Sequence, residues 1–316
     1  MSKNRIVLAI IGIIALITLT GCGDATELGN RAIIQAVAVD YDGKYHVTAM
    51  LFSSGGSGGD TIDASQENVI RVNGEGETLA AAIDDISLVD GKRIYMSETK
   101  LLILGSGFEE TSAEPALRSL YLDLRCSLNM PVCCVESGEL AEDIAALQFT
   151  EGITSADKPL SLIENASDMG VSPKTTLLDL LADSEGGKAS LLPMFTITEN
   201  GSGMTSSDDG KTAVLSGSRH YESGVLGESL SARATAAQML TSKRSHKTTL
   251  NFKCGGEEMT CEAYGIKITD DPLIGEGVLR VSAKFKTRGG GRLNEQERRA
   301  ALNELVELIQ TTSASP

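Results

Sequence analysis

The sequence predicts an α+β protein: a mixed α/β N-terminal region, then a smaller α+β C-terminal domain with an antiparallel sheet and a terminal helix. Three observations support this prediction. Helical and strand patterns alternate over the first half. A Gly-, Ser- and Asp-rich stretch interrupts the chain near residue 200. Strand patterns and one amphipathic segment then follow. The predicted units are a signal peptide (1–21), an N-terminal region (22–200), a linker (201–210) and a C-terminal domain (211–316).

The first 21 residues have the pattern of a secretory signal peptide. Lys3 and Arg5 precede an apolar run over 6–19, which is shorter than the roughly 20 residues that span a bilayer core. The run ends in a lipobox-like sequence, Leu19-Thr20-Gly21-Cys22. We therefore expect cleavage before Cys22 and a diacylglyceryl group on its sulfur, with fatty acyl chains such as palmitate. Two acyl chains would hold the protein stably on the outer face of the cytoplasmic membrane. The alternative is an ordinary secreted protein with a chance cysteine.

Charge and cysteine content limit the possible partners. Loss of Lys3 and Arg5 with the signal peptide takes the formal charge from −15 to −17. Nucleic acid and anionic lipid surfaces are therefore poor partners for the chain as a whole. Five cysteines remain after Cys22, an odd number that does not suit a closed disulfide framework. Cys133 and Cys134 lie in an apolar run, 130–135, which predicts a buried strand with the two side chains on opposite faces.

The N-terminal region begins with a predicted hairpin. Apolar runs over 31–40 and 44–52 flank the turn signal Asp42-Gly43. A Gly- and Ser-rich loop over 53–60 separates them from a short strand. The further elements are helices over 77–89, 112–124 and 175–182, a helix after Ser137, and strands over 69–72, 93–96, 100–104 and 130–135.

Three of these helices have predicted buried faces or caps. The first has a stripe of Leu79, Ile83 and Ile86, and the second a stripe of Leu117, Leu120, Tyr121 and Leu124. We expect Ser137 to cap the third, whose apolar residues are Leu140, Ile144 and Leu147.

The C-terminal domain has its own hairpin and helix signals. A strand over 212–216 opens it, and strands over 250–254 and 259–269 flank Gly255-Gly256. If the loop of this hairpin runs over 256–259, Cys254 faces Cys261, so we expect the two to be close; whether they are bonded is left open. A strand over 278–285 and a basic loop over 288–292 follow. Asn294 and Glu297 form a capping-box pattern ahead of a helix with the apolar residues Leu302, Leu305, Val306 and Ile309.

No pattern for catalysis, metal or cofactor binding emerges. Residues 55–59 match the G-x-S-x-G elbow, but no helix pattern follows until residue 77, so we interpret them as a loop. His46, His220 and His246 lack ligand spacing. The chain has no Trp and few other aromatic residues for a stacking platform. We expect a protein that is not an enzyme.

Several segments resemble the Ger(x)C spore germination lipoproteins. That family typically shows Gly-Cys-Trp-Asp, two variable residues, then Glu-Leu. Here Asp24, Glu27 and Leu28 match, whereas Gly23 stands in place of the Trp. The other matching segments, in family order, are the strand 36–40 ending in Asp40, a Gly-x-Thr helix over 76–87 with Ala82-Ile83, the segments 92–95 and 100–105, and 215–218 with Gly227 and Leu230.

This resemblance implies a non-enzymatic function. It implies the C subunit of a nutrient germinant receptor, anchored by Cys22 in the inner membrane of the spore beside two integral membrane subunits and acting by docking to them. The family's C-terminal region usually runs tens of residues past a helix like the one ending near Gln310, so we expect a short or truncated member. The alternative is a solute-binding lipoprotein of an ABC transporter. That class should show two similar α/β lobes, whereas the regions here are unequal, with about 175 and 105 residues either side of the linker.

Overall fold

The computed structural model describes residues 31–52, 69–148, 157–199, 211–270 and 279–313. The signal peptide, the lipobox, the loop over 53–60 and the linker over 201–210 lie outside these ranges. Within them, the chain forms one large mixed sheet covered by helices, and one small antiparallel sheet with its own helices. The predicted α+β fold class is confirmed.

The large sheet has nine strands. They are β1 Arg31–Tyr41, β2 Tyr45–Phe52, β3 Val69–Gly76, β4 Arg93–Tyr95, β5 Leu101–Leu104, β6 Val132–Val135, β7 Ser190–Glu199, β8 Lys211–Glu222 and β9 Val225–Ser231. Their order is β3-β2-β1-β5-β6-β7-β8-β9, with β4 beside the first residues of β1. Strands β1, β4, β5, β6 and β7 run parallel, and the other pairings are antiparallel. The predicted first hairpin is confirmed, with Tyr41 opposite Tyr45.

Helices cover both faces of this sheet. The helices of the described ranges are α1 Leu79–Asp90, α2 Glu114–Leu122, α3 Ala141–Gln148, α4 Asp157–Asp168, α5 Leu177–Glu185, α6 Ala232–Thr241 and α7 Glu295–Ser313, besides a short 3-10 helix, Ser106–Glu109. Residues of α1, α2 and α5 form a core on one face, and residues of α3 and α4 form a core on the other. Cys134 belongs to the first core and Cys133 to the second, as predicted from strand alternation.

The strand ends of the large sheet form two opposite edges of the molecule, which are distinct from its outermost strands. We call the edge where β1, β4 and β6 begin the N-terminal edge, and the edge where β1, β5 and β6 end the C-terminal edge. Helix α1 joins the end of β3 to the start of β4, and α2 lies between the end of β5 and the start of β6. Both helices therefore run back antiparallel to the parallel strands and end at the N-terminal edge.

The small sheet contains β10 Lys247–Cys254, β11 Glu257–Asp270 and β12 Leu279–Thr287, packed against α6 and α7. Leu305 and Ile309 of α7 are buried, as predicted, whereas Leu302 and Val306 are half-buried. The predicted capping box is confirmed. The backbone N–H of Asn294 donates to Glu297 Oε2 at 2.8 Å, and that of Glu297 to Asn294 Oδ1 at 2.9 Å.

The predicted register of the second hairpin is wrong. The loop is only Gly255-Gly256, with φ of 62° and 89°, the left-handed pair that a two-residue type I′ turn requires. Cys254 therefore lies opposite Glu257, and Cys261 lies opposite Leu250. The two cysteines are four positions apart along the ladder, or roughly 13 Å, too far for a disulfide. Both thiols are free.

The strands over 211–231 do not belong to the C-terminal unit, although the expected C-terminal domain began at residue 211. β8 pairs with β7 along the whole length of β7, with Lys211 opposite Glu199 at one end and Tyr221 opposite Ser190 at the other. β9 in turn pairs with β8. Both strands therefore extend the large sheet instead of opening the small unit, which begins with α6. The polar stretch before β8 connects two neighbouring strands of one sheet, a role that its composition does not distinguish from that of a domain linker.

Some helix details also differ from expectation. Helix α3 begins at Ala141, and Ser137 does not cap it; the Ser137 hydroxyl donates instead to Glu109 Oε2 at 2.9 Å. Tyr121 is 44% exposed, although we expect it in the apolar stripe of α2. Leu140, expected in α3, lies just before that helix and is 48% exposed. Helices α4 and α6 were not predicted.

Candidate functional site

The predicted lipidation site lies outside the described residues, together with the rest of the lipobox and of the family start motif: Leu19, Thr20, Gly21, Cys22, Asp24, Glu27 and Leu28. Lipidation therefore stays a prediction. The residues from the other family-like segments do lie in the described ranges. Several of them meet at the C-terminal edge of the large sheet.

Asp40, near the end of β1, caps helix α3. Its Oδ1 accepts from the backbone N–H of Ala141 at 2.8 Å, and its Oδ2 accepts from that of Glu142 at 3.0 Å. The residue is only 8% exposed. Burial raises the pKa of Asp40, although these two backbone hydrogen bonds act in the opposite direction. A carboxylate at a helix N-terminus satisfies donors that otherwise have no partner.

Two glycines let the chain close around this carboxylate. A Cβ on Gly105 would lie 1.8 Å from Asp40 Oδ1, and a Cβ on Gly107 would lie 1.9 Å from the carbonyl oxygen of Tyr41. Gly105 follows β5, which is adjacent to β1, so a side chain there would displace the cap. The Asp40 and Gly105 positions of the family-like segments thus form one packing unit.

A buried arginine forms the second part of this edge. Arg219 of β8 is 3% exposed. Its Nε and Nη2 donate to the carbonyl oxygen of Gly227 at 3.0 and 2.7 Å, and its Nη1 to Glu109 Oε1 at 2.9 Å. Burial acts to raise the pKa of Glu109, but the hydrogen bonds from Arg219 and Ser137 outweigh it and the pKa is lowered. The pair connects the turn after β5 to β8 and β9.

A third group connects the loop after β6 to β7. The backbone N–H of Ile197 donates to Glu139 Oε1 at 2.8 Å, and the Thr196 hydroxyl donates to Glu136. Glu139 Oε2 is buried without a hydrogen-bond partner. Most carboxylate oxygens at this edge thus accept from donors of the chain itself. This arrangement suits a scaffold that joins the ends of β1, β5 and β6 to β7, β8 and β9, rather than a site that exchanges protons with a substrate.

Another family-like segment has a structural role at the start of α1. Thr78 caps this helix, its Oγ1 accepting from the N–H of Ala81 at 3.2 Å. A Cβ on Gly76 would lie 2.5 Å from the backbone nitrogen of Ala82. The Gly-x-Thr pattern therefore lets α1 start tightly against β3, with Ala82 and Ile83 buried.

Histidines and cysteines are dispersed through the described ranges. His46 contacts Asp42 at 2.8 Å, while His220 lies on β8 and His246 just before β10. No group of three potential metal ligands occurs among the described residues. Burial raises the pKa of Cys126 and of Cys134 to about 12, and that of Cys261 to about 11. These thiols are inert hydrophobic residues of the core.

A family model for the spore germination protein N-terminal domain matches residues 24–197, more than half of the chain. The chain belongs to the Ger(x)C family of spore germination proteins. No curated protein matches it. Among solved structures it is similar to one titled "Crystal Structure of the GerBC protein", at 15% identity and a TM-score of 0.46, over 87% of this chain and 80% of that chain.

Membership of the Ger(x)C family separates this chain from solute-binding lipoproteins, and the sheets agree. One nine-stranded mixed sheet and one three-stranded antiparallel sheet are not two similar lobes. Sequence reasoning missed Arg219 and the capping role of Asp40. Glu109, the acidic partner of Arg219, lies 110 residues away, and the backbone donors to Asp40 lie about 100 residues away, so no local pattern could reveal either contact.

Proposed function

We propose that this Ger(x)C protein is the membrane-anchored lipoprotein subunit of a nutrient germinant receptor. Lipid on Cys22 holds it on the outer face of the cytoplasmic membrane, which becomes the inner membrane of the spore. There it docks to the integral membrane subunits and is required for the germination response to nutrients. Tethering makes this docking a local event at roughly millimolar effective concentration, so weak interfaces suffice.

The family match is the observation that carries this proposal. It begins at Asp24, two residues after Cys22, as expected if the mature chain starts at that cysteine. Within the described ranges, no helix is long and apolar enough to cross a membrane. The C-terminal edge, with its carboxylates used as caps and braces, supports a binding scaffold.

Replacing the predicted lipid-bearing residue tests the proposal. We expect Cys22→Ala to abolish labelling by a fatty-acid probe and to release the protein from membranes. Spores carrying it should germinate slowly with nutrients but normally with calcium dipicolinate, which bypasses nutrient receptors. Cys254→Ala is the matched control and should retain label, membrane association and germination. A Cys22→Ala protein that still takes up label and resists a high-salt wash would contradict the lipid anchor. Normal nutrient germination of a deletion strain would contradict the receptor role.

A further inference from the structure

Large apolar side chains are unusually exposed at one edge of the molecule. Leu88 and Val89, at the end of α1, are 82% and 68% exposed, and Leu122, at the end of α2, is 64% exposed. Tyr95, Tyr121 and Leu178 are also exposed. These six make up more than half of the eleven large hydrophobic residues exposed in the described part of the chain. Large exposed apolar side chains that gather at one place on a protein surface point to an interaction site.

The topology brings all six to the N-terminal edge. Helices α1 and α2 lie side by side and both end there. Tyr95 lies in β4, next to the first residues of β1, with Ile33 opposite it. Leu178 is in the first turn of α5, where its N–H donates to the carbonyl oxygen of Leu128, shortly before β6 begins. The opposite edge offers one such residue, Leu140, beside the Asp40 cap.

The charges at this edge differ from those of the whole chain. Residues 88–98 and 121–126 carry three bases, Lys92, Arg93 and Arg125, and three acids, and Asp179 beside Leu178 adds one acid, so this edge is close to neutral, whereas the whole chain has a formal charge of −15. Lys92 and Arg93 are exposed between the apolar side chains. Leucine and valine flanked by tyrosine and basic residues form the composition found where proteins meet the membrane–water interface. An anionic bilayer would therefore not repel this edge as it would repel the rest of the surface.

The chain also enters the fold at this edge. β1 begins at Arg31, nine residues after Cys22. Nine extended residues span at most about 30 Å. The C-terminal edge lies a further strand length away, roughly 36 Å for the 11 residues of β1. This tether is shorter than β1, so a chain held by lipid on Cys22 can set its N-terminal edge on the bilayer but cannot turn over fully to set its C-terminal edge there.

We propose that the N-terminal edge rests on the phospholipid bilayer, with Leu88, Val89, Tyr95, Tyr121, Leu122 and Leu178 in the headgroup region. This inference rests on the proposed lipid anchor and deepens it, because it gives the anchored protein a fixed orientation. The strands then stand upright on the membrane. The C-terminal edge points away from it.

Tryptophan fluorescence can test this contact, since the chain contains no Trp. Val89→Trp and Leu122→Trp place single reporters at exposed positions of the N-terminal edge, so neither should disturb the core. Leu140→Trp is the matched control at the opposite edge. The full lipidated chain is reconstituted into vesicles of phosphatidylglycerol and phosphatidylethanolamine carrying brominated acyl chains. We expect quenching of the first two reporters at least about threefold stronger than that of the control, with blue-shifted emission, because interfacial residues lie about 5–10 Å into the headgroup boundary.

Flotation of the same vesicles distinguishes a failure of this edge contact from a failure of the proposed lipid anchor on Cys22. If the protein floats but Val89→Trp and Leu122→Trp are quenched no more than Leu140→Trp, the edge contact is overturned and the lipid anchor stands. If the lipidated chain does not float, both are overturned. If quenching at Val89 and Leu122 requires the integral membrane subunits in the same vesicles, the edge binds protein instead of lipid, and the proposal is again overturned.

Discussion

Replacing Arg219 should lower the stability of the large sheet strongly. Its guanidinium is almost fully buried and donates to Glu109 and to the carbonyl oxygens of Gly227 and Val135. Arg219→Met keeps most of the volume but leaves these acceptors without their donor. We expect a loss of about 3 kcal/mol in the free energy of unfolding.

Urea unfolding measures this loss, with Arg118→Met as the control. Arg118 pairs with Glu114 at 2.8 Å, but its side chain is 46% exposed, so its replacement should cost less than about 1 kcal/mol. Equal losses from the two substitutions would contradict the bracing role of Arg219.

Glu109 should make stability depend on pH. Its folded pKa lies below the usual value of 4.5, so its contribution is fully present above that value and is lost as the pH falls through the folded pKa. Glu109→Gln cannot titrate. The difference in urea midpoint between wild type and this variant should therefore be largest at neutral pH and shrink under acid conditions. A difference that stays constant with pH would show that Glu109 is not stabilised as the carboxylate.

At the scale of single elements, the second hairpin provides a sharp test of register. With the two-residue loop, Asn251 lies opposite Thr260, both exposed, and the Thr260 hydroxyl donates to Asn251 Oδ1 at 2.8 Å. Cysteines at these two positions should cross-link readily under mild oxidation, because opposite Cα atoms lie about 4.5–5.5 Å apart. Gel mobility without reductant measures the bond.

The control for this cross-link uses the other register. A four-residue loop over 256–259 would place Asn251 opposite Tyr264, which is also exposed. The pair Asn251→Cys with Tyr264→Cys should stay unlinked. Cross-linking of this control instead of the first pair would restore the alignment in which Cys254 faces Cys261.

The helices and turns that could be predicted from the sequence are those whose stabilising contacts are local. The Asn294 capping box, the Leu79–Ile83–Ile86 stripe and the Asp42-Gly43 turn were predictable because their partners lie within a few residues. Gly255-Gly256 fixed the position of its hairpin, but the register depended on both glycines adopting positive φ. The cap of α3 was not predictable, because its donors and the Asp40 carboxylate are about 100 residues apart.

For the whole molecule, the position of β8 and β9 at one side of the large sheet predicts where the chain can be truncated without loss of solubility. The family match ends at residue 197, before β8 and β9 cover the edge of β7. A chain cut after residue 200 would expose this long edge and would lose Arg219 and the buried Tyr221. We expect it to aggregate, whereas a chain cut after residue 231 keeps all nine strands and should be more soluble. Sedimentation of the two expressed fragments measures the difference; equal solubility would mean that β8 and β9 are dispensable.

The position of β1 inside the large sheet has a mechanical consequence. Hydrogen bonds hold this strand to β2 on one side and to β4 and β5 on the other. If Cys22 carries the lipid, drag on the protein pulls β1 along its own axis, across the direction of these bonds. The load is then shared in shear by both ladders instead of opening one bond at a time. A tether that enters through an interior strand should therefore resist forced unfolding better than one attached to an edge strand.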